Sequence, residues 1–164
     1  MNYAHIHLIL THVPVIGIGG VILLFIIAIA RRSNELLVVA LAFTILLSLV
    51  TIPVYLTGEP SEEIVEDLPG ISKELIDQHE EQAEVAFILV EVTGAIALIT
   101  LIVGRYSNRF GKRLAILTLV VLIISGGLLV WTANLGGKIR HTEINSGMSS
   151  QGMPSHQINK EEGD

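Results

Sequence analysis

The stretch Ile6–Ala30, IHLILTHVPVIGIGGVILLFIIAIA, carries no formal charge from end to end. A run of about 20 such residues is enough to cross about 30 Å of hydrocarbon, so this stretch decides the fold class: the chain is a membrane protein. Leu36–Thr57 and Leu114–Gly137 are uncharged runs of the same kind, and Val85–Gly104 is a fourth, interrupted only by Glu91. In lipid every backbone N–H and C=O must find its partner within the segment, which selects helices. The sequence therefore predicts an all-α membrane protein, a four-transmembrane-helix bundle over residues 1–145, with spans at 6–30, 36–57, 83–104 and 114–137. A helical loop is expected over 59–82, and a disordered polar tail over 146–164. Ile6–Ala30 has no basic n-region and no small-residue cleavage site, and two Arg follow it, so it is expected to stay in the mature protein.

Composition agrees. The 164 residues are 51% hydrophobic and only 16% charged, with mean hydropathy +0.64, against about 25% charged in soluble domains. The absence of Cys excludes disulfides, thiolate metal sites, iron–sulfur ligation and covalent c-type haem attachment, leaving any chemistry to His and carboxylates. Sixteen acidic against ten basic residues give a charge of −6. No basic stripe is left to neutralise phosphates, which argues against a nucleic-acid partner.

The charges are sorted by position. Arg31 and Arg32 lie between the first two spans, and Arg105, Arg109, Lys112 and Arg113 between the last two. By the positive-inside rule both connections are cytoplasmic, which places the termini and the 58–84 connection on the periplasmic side of a bacterial inner membrane. That connection holds ten acidic residues and one Lys. Pro60 suits the first turn of a short helix ending before Pro69-Gly70. Ser72 reads as the N-cap of a long helix, from about Lys73 through the third span, stapled by Ile71 and Ile76.

All six His (His5, His7, His12, His79, His141, His156) fall at or beyond the outer boundary. Counting from the anchoring Arg at about 1.5 Å per residue puts His12 about 28 Å, His7 about 36 Å, His79 about 39 Å and His141 about 42 Å along their helices, the last if Gly136-Gly137 does not break its helix. Three spans thus bring an imidazole to one layer. A single interfacial His needs no functional reason, but five before the tail, on one side, favour ligation. His7 and His12 point about 140° apart at 3.6 residues per turn, so they serve different centres or different roles. A His from each of two helices is a natural axial pair for b-type haem in a bundle. The same set suits Zn or Cu with a carboxylate from Glu80, Glu81 or Glu84. His79-Glu80-Glu81-Gln82-Ala83 has Ala where a zincin needs its second His, so a metalloprotease is excluded. Glu91, inside the third span and on one face with Glu84 and Glu80, is a candidate proton relay with Glu84, or a quinone-site carboxyl. The alternative is a Glu hydrogen-bonded to a Ser or Thr of a neighbouring span. Gly17, Gly19, Gly20, Gly126 and Gly127 are expected to permit close helix contact, and Gly19 also stands on the His12 face.

His7-Leu8-Ile9-Leu10-Thr11-His12-Val13-Pro14-Val15 resembles the H-P-x-L-V-H-F-P-I first helix of an uncharacterised bacterial family of four-helix inner-membrane proteins, with Leu8 and Val13 departing from it. Thr57-Gly58, His79 and the closing Thr132-Ala133-Asn134-Leu135-Gly136-Gly137-Lys138-Ile139-Arg140-His141 are similar to its later motifs. The resemblance spans about the first 145 residues and implies a haem-b-like membrane cytochrome subunit working beside c-type cytochromes.

The expected function is a membrane electron-transfer subunit, an electron carrier rather than a stand-alone enzyme, holding one or two b-type haems near the periplasmic face. His12 pairs with His79 and His7 with His141 in this reading, His7 with His79 being equally allowed by height, and His5 is in reserve. Quinol is the expected electron source, and the anionic face suits a periplasmic c-type cytochrome or copper protein. The alternatives are a Zn- or Cu-binding or transport protein using the same His, and a structural subunit of a larger respiratory or photosynthetic membrane complex.

Overall fold

A computed structural model describes residues 2–66, 68–69 and 71–140. Its described residues are helical, with no strand: α1 Tyr3–Ala30, α2 Asn34–Leu56, α3 Gly58–Val65, α4 Lys73–Tyr106 and α5 Asn108–Arg140. α1, α2, α4 and α5 belong to helical stretches long and apolar enough to cross a membrane.

The ends follow from local chemistry. Asn2, Ser33 and Ser72 cap α1, α2 and α4, each side chain accepting from a backbone N–H three residues on. α1 stops at Arg32, whose φ of 52° is left-handed, while Ser33 N–H reaches back to the Ala28 carbonyl at 3.0 Å. α3 starts at Gly58, directly after the α2 cap Thr57, and takes Pro60 into its first turn, where Pro removes no intrahelical bond. α5 starts at Asn108, ahead of the uncharged run, because Arg and Lys are good helix formers whose charge bears on lipid entry and not on helicity. It also runs through Gly136-Gly137 unbroken.

α1 packs on α2 and α5, and α4 packs on α2 and α5, so the four long helices close a ring with α1 and α4 on a diagonal. α3 folds over the end of α1 and α2. The core joins Ile18, Val21 and Phe25 of α1 to Leu41 of α2, Val90 of α4 and Leu122 of α5. A line of buried hydroxyls threads it: Thr44, Ser48 and Thr51 on α2, Thr93 and Thr100 on α4, and Thr118, Ser125 and Thr132 on α5. Seven of these eight bond the carbonyl four residues back, which satisfies them without a partner helix. Thr93 and Ser125 also meet at 3.0 Å and Thr100 and Thr118 at 3.1 Å, joining α4 to α5.

Glycines divide into two groups. A Cβ on Gly111 would stand 2.8 Å from Gly104 Cα, and one on Gly17 2.7 Å from Leu47 Cδ2, so both permit close approach. Gly126 lies against Ile18 and Ile22, whereas a Cβ on Gly19, Gly20 or Gly127 would meet open space. The expectation of close contact therefore fails for these three, because their face of the helix turns away from the bundle.

Candidate functional site

His7 stands in the second turn of α1, half-buried, with Nδ1 3.0 Å from the Val54 carbonyl and 3.1 Å from Thr57 Oγ1. Val54 lies in the last turn of α2, and its carbonyl also accepts from the N–H of the C-cap Thr57 at 3.3 Å. A carbonyl only accepts, so Nδ1 carries the hydrogen and donates it. The Thr57 hydroxyl donates within its own helix, to Pro53 or Val54, and thereby backs the same ring. In the neutral ring Nε2 is then the nitrogen with the free lone pair.

His79, two turns into α4, repeats the arrangement. Its Nδ1 donates to the Thr132 carbonyl of α5 at 3.0 Å, leaving Nε2 free. The ring lies on the backbone at Gly136, where a Cβ would come within 3.1 Å of Cε1, so a residue without a side chain seats it. His7 packs on the C-terminal end of α2 and His79 on the C-terminal part of α5, which lie at the same end of the bundle. Two imidazoles from diagonal helices thus share one end of the bundle, both with Nδ1 committed to a backbone carbonyl.

The other predicted ligands are placed differently. His12 is on the exposed face of α1, and its Nδ1 donates to Leu8 of its own helix at 2.7 Å. It faces away from the bundle, together with the open face at Gly19, whereas His7 turns toward α2. His5 is exposed, its backbone N–H taken by the Asn2 side chain at 3.0 Å. His141, His156 and the 146–164 tail lie outside the described residues.

Glu80, Glu81 and Glu84 are exposed along the projecting end of α4. Glu91 sits on the α2–α4 interface, where Ser48 Oγ donates to its Oε2 at 2.7 Å, the Ser partnership that the sequence allowed. Its Oε1 is buried without a hydrogen-bond partner. Gly94, next along the same side of α4, makes room for the Ser48 side chain, which a Cβ there would strike. Tyr55 and Phe87 stack between the same two helices, centroids 4.3 Å apart.

Around the two imidazoles the surface is acidic. α3, beyond the apolar stretch of α2, presents Glu59, Glu62, Glu63 and Glu66, and the start of α4 adds Glu74, Asp77, Glu80, Glu81 and Glu84. Partial burial and then the neighbouring Glu80, Asp77, Glu66 and Glu59 hold the Glu62 carboxyl above the usual carboxylate range. Among the described residues the single ion pair is Lys73–Glu66 at 3.4 Å. No three His, Cys, Asp or Glu side chains among the described residues form a group able to hold a metal ion.

The carbonyls of Val54 and Thr132, the hydroxyl of Thr57 and the seat at Gly136 complete this site, and none was singled out as a site residue from sequence. Thr57, Thr132 and Gly136 stand in the Thr57-Gly58 and Thr132–His141 motifs, and Thr132 is marked by spacing as well. His79, Ala86, Thr93 and Thr100 recur every seven residues, as do Thr118, Ser125 and Thr132, and small or hydroxyl residues at that period mark the buried seam between helices in lipid.

The fold and its site define an all-helical chain with four apolar helices of membrane-crossing length and a paired-imidazole end. The chain matches no protein-family model, no curated protein and no solved structure.

Proposed function

We propose that this chain is a membrane electron-transfer subunit in which His7 and His79 are the axial ligands of a b-type haem. The observation that carries the reading is the common state of the two rings: Nδ1–H held by a backbone carbonyl, Nε2 free, on diagonal helices. A ligating imidazole ordinarily donates its second nitrogen to a carbonyl or carboxylate, which fixes the tautomer and raises the basicity of the ligating atom. The donor set therefore fits a haem. When bound, haem supplies one-electron exchange between its ferric and ferrous states.

The residues of this chain supply the rest. Val54 and Thr57 orient His7, Thr132 and Gly136 orient His79, and the resemblance of the two His-bearing motifs to an uncharacterised family of four-helix inner-membrane proteins, which implies a haem-b-like subunit, supports the same reading. Quinol is the proposed donor. The acidic surface of α3 and α4 suits a cationic c-type cytochrome or copper protein, because opposite charge speeds encounter. The proposed location of the His end is the periplasmic side of a bacterial inner membrane, a reading supported by the Arg-rich connections at the other end.

A zinc or copper site would draw three or four protein ligands. The described residues bring together two imidazoles, which favours haem over that reading. The test is an absorption spectrum of the detergent-purified protein from a haem-replete host, oxidised and reduced. A Soret band is expected, lost in His7→Ala and in His79→Ala and retained in His12→Ala. A protein without a Soret band, or one whose band survives both substitutions, overturns the proposal and leaves the structural-subunit reading.

A further inference from the structure

At the end of the bundle opposite the imidazoles, the α1–α2 turn and the start of α5 form an open cavity of about 280 Å³. Ala28, Leu37 and Ala115 line it with apolar surface, Ile29 and Ile116 flank it on the exposed side, and Arg32 and Lys112 stand at its mouth. Ser33, which caps α2, and Asn34, which begins it, add polar lining.

The site is cationic in a particular way. Neither Arg32 nor Lys112 has a carboxylate within ion-pair distance among the described residues, where Lys73–Glu66 is the single pair, and Glu35 is the one carboxylate of this end. Arg113, close to Lys112 in sequence, is engaged instead over the Phe110 ring at 5.9 Å. The first amides of α2 add partial positive charge to the same corner. Arg32 occupies a left-handed backbone, φ 52°, a conformation that glycine adopts freely. Two unpaired cations, an apolar floor, and a place at the tips of three lipid-crossing helices call for a ligand anionic at one end and apolar at the other.

We propose that this cavity binds an anionic membrane phospholipid, with Arg32 and Lys112 holding the phosphate and the Ala28–Leu37–Ala115 wall taking the glycerol and the first carbons of an acyl chain. Cationic pockets between helices at a membrane surface are suited to phosphate headgroups in this way. A free phosphate would use the cations alone and gain nothing from the apolar wall, so the lipid is the occupant the lining fits. The proposal is independent of the imidazole site.

The test uses the full chain in neutral detergent, titrated with phosphatidylglycerol, phosphatidylcholine or inorganic phosphate, and read by native mass spectrometry and thermal unfolding. Phosphatidylglycerol is expected to remain bound and to raise the melting temperature, and phosphatidylcholine to do neither. The double variant Arg32→Gly/Lys112→Gln should weaken phosphatidylglycerol binding roughly thirtyfold, at about fivefold for each cation near the surface. Arg32→Gly relieves the left-handed backbone, so this variant keeps its fold. Arg105→Gln/Arg109→Gln removes the same charge outside the cavity and should leave binding unchanged. Equal binding of the two lipids, an equal loss in the control pair, or a thermal shift reproduced by inorganic phosphate would each overturn the assignment.

Discussion

Glu91 has one carboxylate oxygen bonded to Ser48 and the other buried without a partner, at the depth of a lipid-crossing helix. A single hydroxyl on α2 therefore carries the whole polar satisfaction of that group. Ser48→Ala removes it and strands both oxygens, which should cost about 1–2 kcal/mol of stability, the upper range for hydrogen bonds between membrane helices. Ser48→Thr, which keeps a hydroxyl, should lose less. Unfolding in mixed micelles reads the difference, and an unchanged Ser48→Ala protein would show that Glu91 draws nothing from α2. Arg32 gives a residue-scale prediction of opposite sign. A left-handed backbone costs a β-carbon residue about 1 kcal/mol, part of which glycine gives back through its freer unfolded state, so Arg32→Gly alone should raise stability by about 0.5 kcal/mol in lipid-free detergent. Its effect on bound phosphatidylglycerol should run the other way, which separates binding from folding.

Helix pairing shows the same contrast between positions that look alike in sequence. At Gly111 a Cβ would press on the Gly104 backbone, which has no rotamer to yield, so Gly111→Ala should part α4 from α5 and cost about 1–3 kcal/mol. At Gly127 the Cβ enters open space, and Gly127→Ala should add about 0.5–1 kcal/mol through helix propensity alone. The same unfolding measurement compares the two, and equal effects would refute the packing drawn for α4 and α5. For α3 the variable is pH. Glu62 has its proton affinity raised in the folded state, so the native chain binds more protons than the unfolded one in the window just above the ordinary carboxylate range, and stability there falls as pH rises. Hydrogen-exchange protection of α3, taken relative to the unfolded chain at each pH, should rise on acidification through that window, and Glu62→Gln should flatten the rise. What could be read in advance at this scale was the presence of the helices, since uncharged runs and the Ser72 cap are local signals. Which face of α1 turns inward was harder, because a helix apolar on every side has no stripe to show. His7 shares a seven-residue line with Pro14, Val21 and Ala28, all buried, while His12 shares one with Gly19 and Ile26, both exposed. Only the packing of the other helices gives that difference meaning, and heights along the helix axis cannot supply it.

Across the whole molecule, charge is polarised along the bundle axis, with eight carboxylates of α3 and the start of α4, and Glu66 between them, at the imidazole end and Arg31, Arg32, Arg105, Arg109, Lys112 and Arg113 at the other. The membrane converts that polarity into an orientation, because translocating a short cationic loop is disfavoured whereas acidic residues contribute little. On the proposed orientation the imidazole end faces the periplasm and the proposed cationic redox partner, and the Arg32–Lys112 cavity faces the cytoplasmic leaflet and the proposed anionic lipid. The chain has no Cys, so the orientation can be measured without background. Glu63→Cys on α3 and Arg109→Cys near the start of α5 are exposed positions at opposite ends. In intact spheroplasts a membrane-impermeant maleimide should label Glu63→Cys at once and Arg109→Cys only after permeabilisation. The reverse pattern would place the imidazole end in the cytoplasm, overturning the proposed periplasmic partner without touching the proposal that His7 and His79 are ligands, so the labelling tests orientation independently of whether a haem is bound.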